Sequence, residues 1–428
     1  MINRRQFQNH LSWGLGLGTL GATSWLENAS ATAPAKVVIV GGGFGGATAA
    51  KYLRLFSRQQ IQVTLIEAEK SFISCPMSNL ILGGSAQLKD VEFSYDQLKF
   101  RHGIEIIHER ATEIDFQKKT LQTPTHQNIA YDKLILAPGM QMVLGDVEGL
   151  LQAKQSGQIV QAWEGNHEIE HLRSQIVNMR NGQTFVLSIP ESPFKCPPGP
   201  YERASQVAHY FKTHKPQCKV LILDANQDVL SNSASFKRFW SEQYASIIDY
   251  RPQHMVTGVD AEKKTIGFEI QDDLSYDVAN ILPPMRAGDI AHRNGLTNIN
   301  NKWCGVSFNN FESQKAKDVH ILGDAIQGAP LMPKSGHMAN AQAKVLAAAL
   351  TAELFDIPLD PAPFLTNTCY SFLDDRNAVH IASVHQYDAI EKTYKVVPQS
   401  SGISSKPSLA EGLQAQSWAQ HIWADVLS

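Results

Sequence analysis

Short apolar runs that end on glycine or a carboxylate divide the first two thirds of this chain into strands, turns and helices. Val37 to Val40 read as a strand, followed at once by Gly41, Gly43 and Gly46 in G-x-G-x-x-G spacing and by a helix from Ala47 to about Leu55. The first glycine permits a tight turn, the second lets a pyrophosphate approach the backbone, and the third lets the helix pack closely on the sheet. The helix turns the positive end of its dipole toward that phosphate. Ile61 to Ile66 form the next strand, and Glu67 ends it where a carboxylate would accept the ribose hydroxyls. A β-rich crossover, roughly Ile104 to Gln122, leads to Tyr131 to Gly139, the strand and turn that close an FAD domain.

A second β-α-β unit begins with the strand Thr184 to Ile189, continues through a helix from Tyr201 to Lys212 and ends in the strand Lys219 to Leu223 with Asp224. Its first turn is not glycine-rich. It reads Pro190-Glu191-Ser192-Pro193-Phe194-Lys195-Cys196-Pro197-Pro198-Gly199-Pro200. Prolines lack the amide hydrogens that would cradle a pyrophosphate, and their rings obstruct its approach, so NAD(P)H binding is disfavoured here. The turn offers Cys196 instead, with Glu202 in the first turn of the following helix, either as a helix-start charge or as a proton carrier.

Val319 to Asp324 repeats the FAD pattern, ending on a carboxylate suited to the ribityl hydroxyls, and Ala329 to Gly336 opens a helix running to about Leu354. Lys334 and the amides near Ser335 are expected at the pyrimidine edge of the flavin, where they would stabilise negative charge on the reduced ring. From Pro358 the pattern changes again. His380 to Asp388 and Lys392 to Val397 look like paired strands, Ser400 to Ser408 like a flexible linker, and Leu409 to Leu427 like a helix with Leu413, Trp418, Ile422, Trp423 and Val426 near one side. This helix carries Glu411 and Asp425 and no Lys or Arg, which argues for packing on the flavin domain or a partner rather than on anionic lipid.

Composition narrows the functional classes. The 428 residues are 43% hydrophobic and 18% charged with a net charge of −3, ordinary globular material with room for two or three domains and no basic patch for nucleic acid. Asn3-Arg4-Arg5-Gln6-Phe7, the apolar stretch Leu11 to Ala22 and small residues at Ala29-Ser30-Ala31 and Ala31-Thr32-Ala33 form a twin-arginine export signal over 1–33, too short to serve as a transmembrane anchor. The expected location is the periplasm. Five cysteines, an odd number, leave at least one unpaired or modified there. None has metal-site spacing, and the absence of C-x-x-C-H means that the chain carries no covalent haem of its own. Cys218 reads as a buried thiol and Cys304 as a surface-near one, although a bond between them stays open. Cys75, in Ser74-Cys75-Pro76-Met77-Ser78-Asn79, stands where dithiol reductases place a C-x4-C pair beside the isoalloxazine ring. The fifth residue on is Leu80, so Cys75 is an inert thiol or a point of flavin attachment.

These cysteine-bearing segments, together with Thr368-Cys369-Tyr370, Met332-Pro333-Lys334-Ser335-Gly336 and the glycine fingerprint, resemble the flavoprotein subunit of flavocytochrome c sulfide dehydrogenase over essentially the whole mature chain. The fold implied is α/β, with two Rossmann-like dinucleotide-binding domains of the glutathione-reductase type and a C-terminal α+β interface domain. The FAD domain is expected at 34–148 and 283–357, the degenerate NAD-like domain at 149–282, and the interface domain, covering the flavin, at 358–428. The resemblance implies FAD linked covalently through Cys75, a redox-active disulfide between Cys196 and Cys369, Glu202 as acid/base, and a c-type cytochrome as partner. Sulfide would be oxidised to sulfur or polysulfide. A sulfide:quinone oxidoreductase-like enzyme and a non-catalytic flavoprotein that binds a cytochrome are the alternatives.

Overall fold

The structure is a computed structural model and describes residues 33–428; the twin-arginine segment lies outside the described residues. The first sheet starts where the apolar run does. β1 (Lys36–Val40) leads through α1 (Phe44–Phe56) to β2 (Gln62–Ile66), and β3 (Glu105–Ile107) and β4 (Lys133–Leu136) join them, each pairing parallel with its neighbours. The chain then builds a second parallel sheet from β5 (Thr184–Ile189), α2 (Gly199–His214), β6 (Lys219–Asp224), β7 (Ile248–Pro252) and β8 (Val278–Ile281), in the order β7-β6-β5-β8. It returns as β9 (Val306–Ser307), β10 (Glu312–Ser313) and β11 (Val319–Ile321), which completes a seven-stranded sheet ordered β9-β10-β11-β4-β1-β2-β3.

Small side chains let the helices sit close to the first sheet. α3 (Gly336–Leu354) packs on α1, with Ala339 beside Gly45, and Ala343 and Ala347 of α3 and Ala47 and Ala50 of α1 are all fully buried. A Cβ at Gly45 would lie 2.2 Å from Leu322 Cδ1, so any side chain there would have to displace that leucine. The C-terminal part forms β12 (Phe364–Phe372), β13 (Ala378–Asp388) and β14 (Thr393–Val396), an antiparallel sheet, and ends in α4 (Leu409–Leu427). Ser408 caps α4 by accepting from the Glu411 amide.

Two expectations change here. Ser400 to Ser408 is not a free linker: Gly402–Ile403 pairs with β13, and Ser404 is buried, its hydroxyl bonded to His380 and Glu411. The serines serve as hydrogen-bond partners for backbone that is tied down. α4 packs on the first domain, as expected, because Asp425 accepts from Tyr52, Asn340 and Lys344 while Lys51 donates to the Ala424 and Asp425 carbonyls. Leu413, however, is 59% exposed and lies off the packed side.

Candidate active site

The three fingerprint glycines have different physical tasks. Gly41 has φ +99°, and a Cβ there would stand 2.3 Å from the Ala137 carbonyl oxygen; one at Gly46 would stand 1.8 Å from the Gly41 oxygen. Both are demanded by packing. Gly43 meets no atom within 4 Å of its would-be Cβ and faces a cavity of about 580 Å³. The bare edge is therefore reserved for something that enters the cavity. Glu67 braces the same turn, accepting from the Gly42 amide at 2.5 Å and from the Glu69 amide at 2.8 Å, while its carboxylate lines the cavity. This cradle fits the adenosine and pyrophosphate portion of FAD.

The same cavity is lined by Cys75, by Cys196 and Glu202 from one turn and the helix it opens, and by Cys369, three separate stretches of chain. Cys196 has φ +56°, the left-handed region that non-glycine residues rarely occupy, and its amide donates to the Lys334 carbonyl at 2.9 Å. That bond docks the proline-rich turn of the second sheet against the loop before α3. Cys369 lies on β12, with Asn367 Nδ2 3.7 Å from its sulfur and Ser335 Oγ donating to Asn367 Oδ1 at 2.6 Å. Ser335 also caps α3, accepting from the Met338 amide. Both cysteines are free thiols in this structure. Burial raises both, and Cys196 is raised further by the charge that Cys369 and Glu202 would carry. Two such sulfurs bear no buried charge when bonded to each other.

Glu202 is 7% exposed, and burial pushes its carboxyl up to about 7 against the pull of its donors. Phe372 N reaches Oε1 at 2.8 Å and Asn79 Nδ2 reaches Oε2 at 2.8 Å. The same Asn79 accepts from Arg203 Nε at 3.1 Å, and the Arg203 guanidinium is otherwise held by the Gln161 and Ala162 carbonyls and Asn280 Oδ1. Arg203 is fully buried with its guanidinium 4.5 Å above the Trp163 ring. A Cβ at Gly199 would meet both that ring and Cys196 Sγ within 3 Å, so the indole, the glycine and the sulfur form one wall.

Lys334 is not where the sequence reading put it. Its ammonium donates to the Asp324 and Ile326 carbonyls at 2.8 and 2.7 Å and sits 3.7 Å from the Trp303 ring centroid, outside the main cavity. Burial lowers it to about 8. Three local acceptors within reach outweigh extension toward the cavity. Asp324 does line the cavity, its carboxyl raised by burial and opposed by Lys195 and Lys334. Cys304 is also corrected: it is fully buried, because the polar-looking loop around it is tied to the turn after β11, the Cys304 amide donating to the Ala325 carbonyl and its carbonyl accepting from the Gln327 amide. Cys218 is a buried free thiol, as read.

Lys195, Asn79 and Arg203 were not singled out from the sequence. Lys195 donates to Cys75 Sγ at 2.9 Å and to the Trp163 carbonyl at 3.3 Å. Only position next to Cys196 and Cys75 in the sequence hinted at any of the three. Among the described residues no group of three or more His, Cys, Asp or Glu side chains is placed to hold a metal ion, and no helix is long and apolar enough to cross a membrane.

A doubly wound nucleotide cradle facing a second parallel sheet, with cysteines at the junction, defines a flavoprotein with the pyridine nucleotide-disulphide oxidoreductase fold, and residues 35–179 match the model of that family. The chain is a flavoprotein related to the flavoprotein subunit of flavocytochrome c sulfide dehydrogenase and to the sulfide:quinone oxidoreductases. Residues 169–283 match the central part of the sulfide dehydrogenase [flavocytochrome c] flavoprotein chain and residues 361–427 the flavocytochrome c sulphide dehydrogenase flavin-binding model. The sulfide dehydrogenase [flavocytochrome c] flavoprotein chain of Chlorobaculum thiosulfatiphilum is 54% identical over 46 residues, 11% of this chain and 94% of that one. The mitochondrial sulfide:quinone oxidoreductase of Dictyostelium discoideum is 22% identical over 340 residues, 76% of this chain and 72% of that one. Among solved structures, the sulfide:quinone oxidoreductase of Aquifex aeolicus superposes with a TM-score of 0.72 at 19% identity, covering 92% of this chain and 91% of that one. These matches support FAD as the cofactor and flavin-dependent sulfide oxidation as the activity.

Proposed function

We propose that this protein is a sulfide dehydrogenase of the flavocytochrome c type, exported to the periplasm by its twin-arginine segment, that passes electrons from sulfide to a c-type cytochrome. The observation that carries the reading is that Cys196, Cys369 and the buried Glu202 line one cavity with the glycine cradle, close enough for charge on Cys369 and Glu202 to act on Cys196. In the oxidised protein Cys196 and Cys369 are joined. Glu202, ionised, takes a proton from hydrogen sulfide, and the hydrosulfide attacks one sulfur of the disulfide. An S–S bond forms to the incoming sulfur as the Cys196–Cys369 bond breaks, leaving a persulfide on Cys196 and a thiolate on Cys369. Asn79 and the Phe372 amide hold the carboxylate of Glu202, and the buried Arg203 guanidinium places positive charge near Cys196. FAD, when bound, accepts an electron pair from a thiolate and gives up electrons singly. Gly43, Glu67 and Asp324 would hold it, with Cys75 as its covalent anchor.

A haem acceptor has to come from another chain, because this one holds no C-x-x-C-H. The proline-filled turn before α2 speaks against NAD(P)H. The likeness to sulfide:quinone oxidoreductases favours one second reading, in which quinone replaces the cytochrome. Cys369→Ser tests the disulfide. Sulfide-dependent bleaching of the flavin should slow by more than about a hundredfold while FAD stays bound; an unchanged rate would remove the disulfide from the mechanism.

A further inference from the structure

The ammonium of Lys195 has a position that sulfide oxidation does not explain. It lies against Cys75 rather than against Cys196, its neighbour in sequence, and donates to Cys75 Sγ at 2.9 Å. Trp163 O accepts from the same ammonium at 3.3 Å and from Cys75 Sγ at 3.8 Å, so carbonyl, ammonium and sulfur form one cluster. The far side of the sulfur is closed. A Cβ at Gly165, φ +72°, would lie 3.1 Å from Sγ and 2.6 Å from the Ile73 carbonyl oxygen, and the remaining open direction is the cavity. Burial would weaken the charge on Lys195, but the Cys75 sulfur and the Asp324 carboxylate outweigh it and hold the ammonium well above the ordinary lysine range.

We infer that Lys195 is the cation that pairs with the Cys75 sulfur as it bonds to the flavin, so that the protein flavinylates itself. The inference rests on the proposal that Cys75 is the covalent anchor. In the step, the Cys75 thiolate supplies both electrons of a new S–C bond to the 8α carbon. One 8α C–H bond breaks, its proton passes to the ring system, and the isoalloxazine is left reduced by two electrons. Dioxygen, or two ferric haems used in turn, takes those electrons and restores the oxidised form. Lys195 gains and loses no proton. Its contribution is to pair with the nucleophile and to release it once the neutral thioether has formed.

The test compares full-length wild type, Cys75→Ser, Lys195→Met and Lys195→Arg after expression with FAD, by in-gel flavin fluorescence of denatured protein and by intact mass, against total bound flavin. Wild type should carry flavin through denaturation and C75S none. K195M should bind FAD but show a covalent fraction at least about tenfold lower. K195R, which keeps the charge, should retain most of the link. Full linkage in K195M, or FAD bound without linkage in K195R, would overturn the inference. Should K195M bind no flavin, K195R decides alone. A wild type without covalent flavin would instead refute the anchor on which the inference rests.

Discussion

Glu202 owes its proton affinity to two opposed local facts. Burial pushes the carboxyl up, and the Phe372 amide, Asn79 and Arg203 pull it back, with the balance at about 7. Because its folded value lies above the ordinary one, its contribution to stability is fully present below the ordinary glutamate range and is lost as pH rises through about 7. From 4.5 to about 7 that loss amounts to roughly 3 kcal/mol at about 1.4 kcal/mol per unit. Glu202→Gln carries no charge, so its melting temperature should gain on wild type between about pH 5 and about pH 8. Activity should respond in the other direction: sulfide-dependent flavin reduction in wild type should rise through about pH 7 as the base ionises, and E202Q should be slow with that rise removed. A rise of the same midpoint in E202Q would assign the titration to another group.

At the scale of elements, the turn between β1 and α1 separates two roles that the fingerprint merges. Gly43 is extended, with φ −68° and ψ −168°, and nothing in the protein opposes a Cβ there. Gly43→Ala should therefore keep fold stability within about 0.5 kcal/mol yet lose FAD, seen as a lower flavin-to-protein absorbance ratio. Gly46→Ala forces a Cβ onto the Gly41 carbonyl and should cost about 3 kcal/mol, read by thermal unfolding. Equal losses in both variants would mean that the cavity edge at Gly43 is not a ligand edge. The same turn shows what sequence conveys. Local pattern suffices for β1, β5 and the α3 and α4 helices, because period and breakers act over a few residues. It fails for Lys195, Arg203 and Asn79, since a lysine or arginine beside a turn looks solvated until the second sheet is folded over it. It fails likewise for Cys304 and the 400–408 segment, whose polar neighbours are satisfied by distant backbone. Lys334 was misplaced because its three partners, Asp324, Ile326 and Trp303, come together only when the loop closes.

For the whole molecule, the arrangement splits labour between two similar halves. The first parallel sheet keeps its glycines and a bare edge for the nucleotide. The second has traded those glycines for prolines and a strained cysteine, and its turn is anchored on the first domain through the Cys196 amide and the Lys334 carbonyl. The C-terminal sheet then brings Cys369 to the same cavity, with α4 locked behind it through Asp425 and through Trp423, which donates to Ser74 Oγ at 2.9 Å. In the proposed mechanism, chemistry that would need a bound pyridine nucleotide is exchanged for chemistry on sulfur. The most direct test is an anaerobic titration of the flavin-loaded protein, following visible flavin absorbance, with sulfide and separately with NADH. The account predicts bleaching by sulfide, no response to NADH, and return of colour on adding oxidised cytochrome c. Bleaching by NADH with none by sulfide would contradict it.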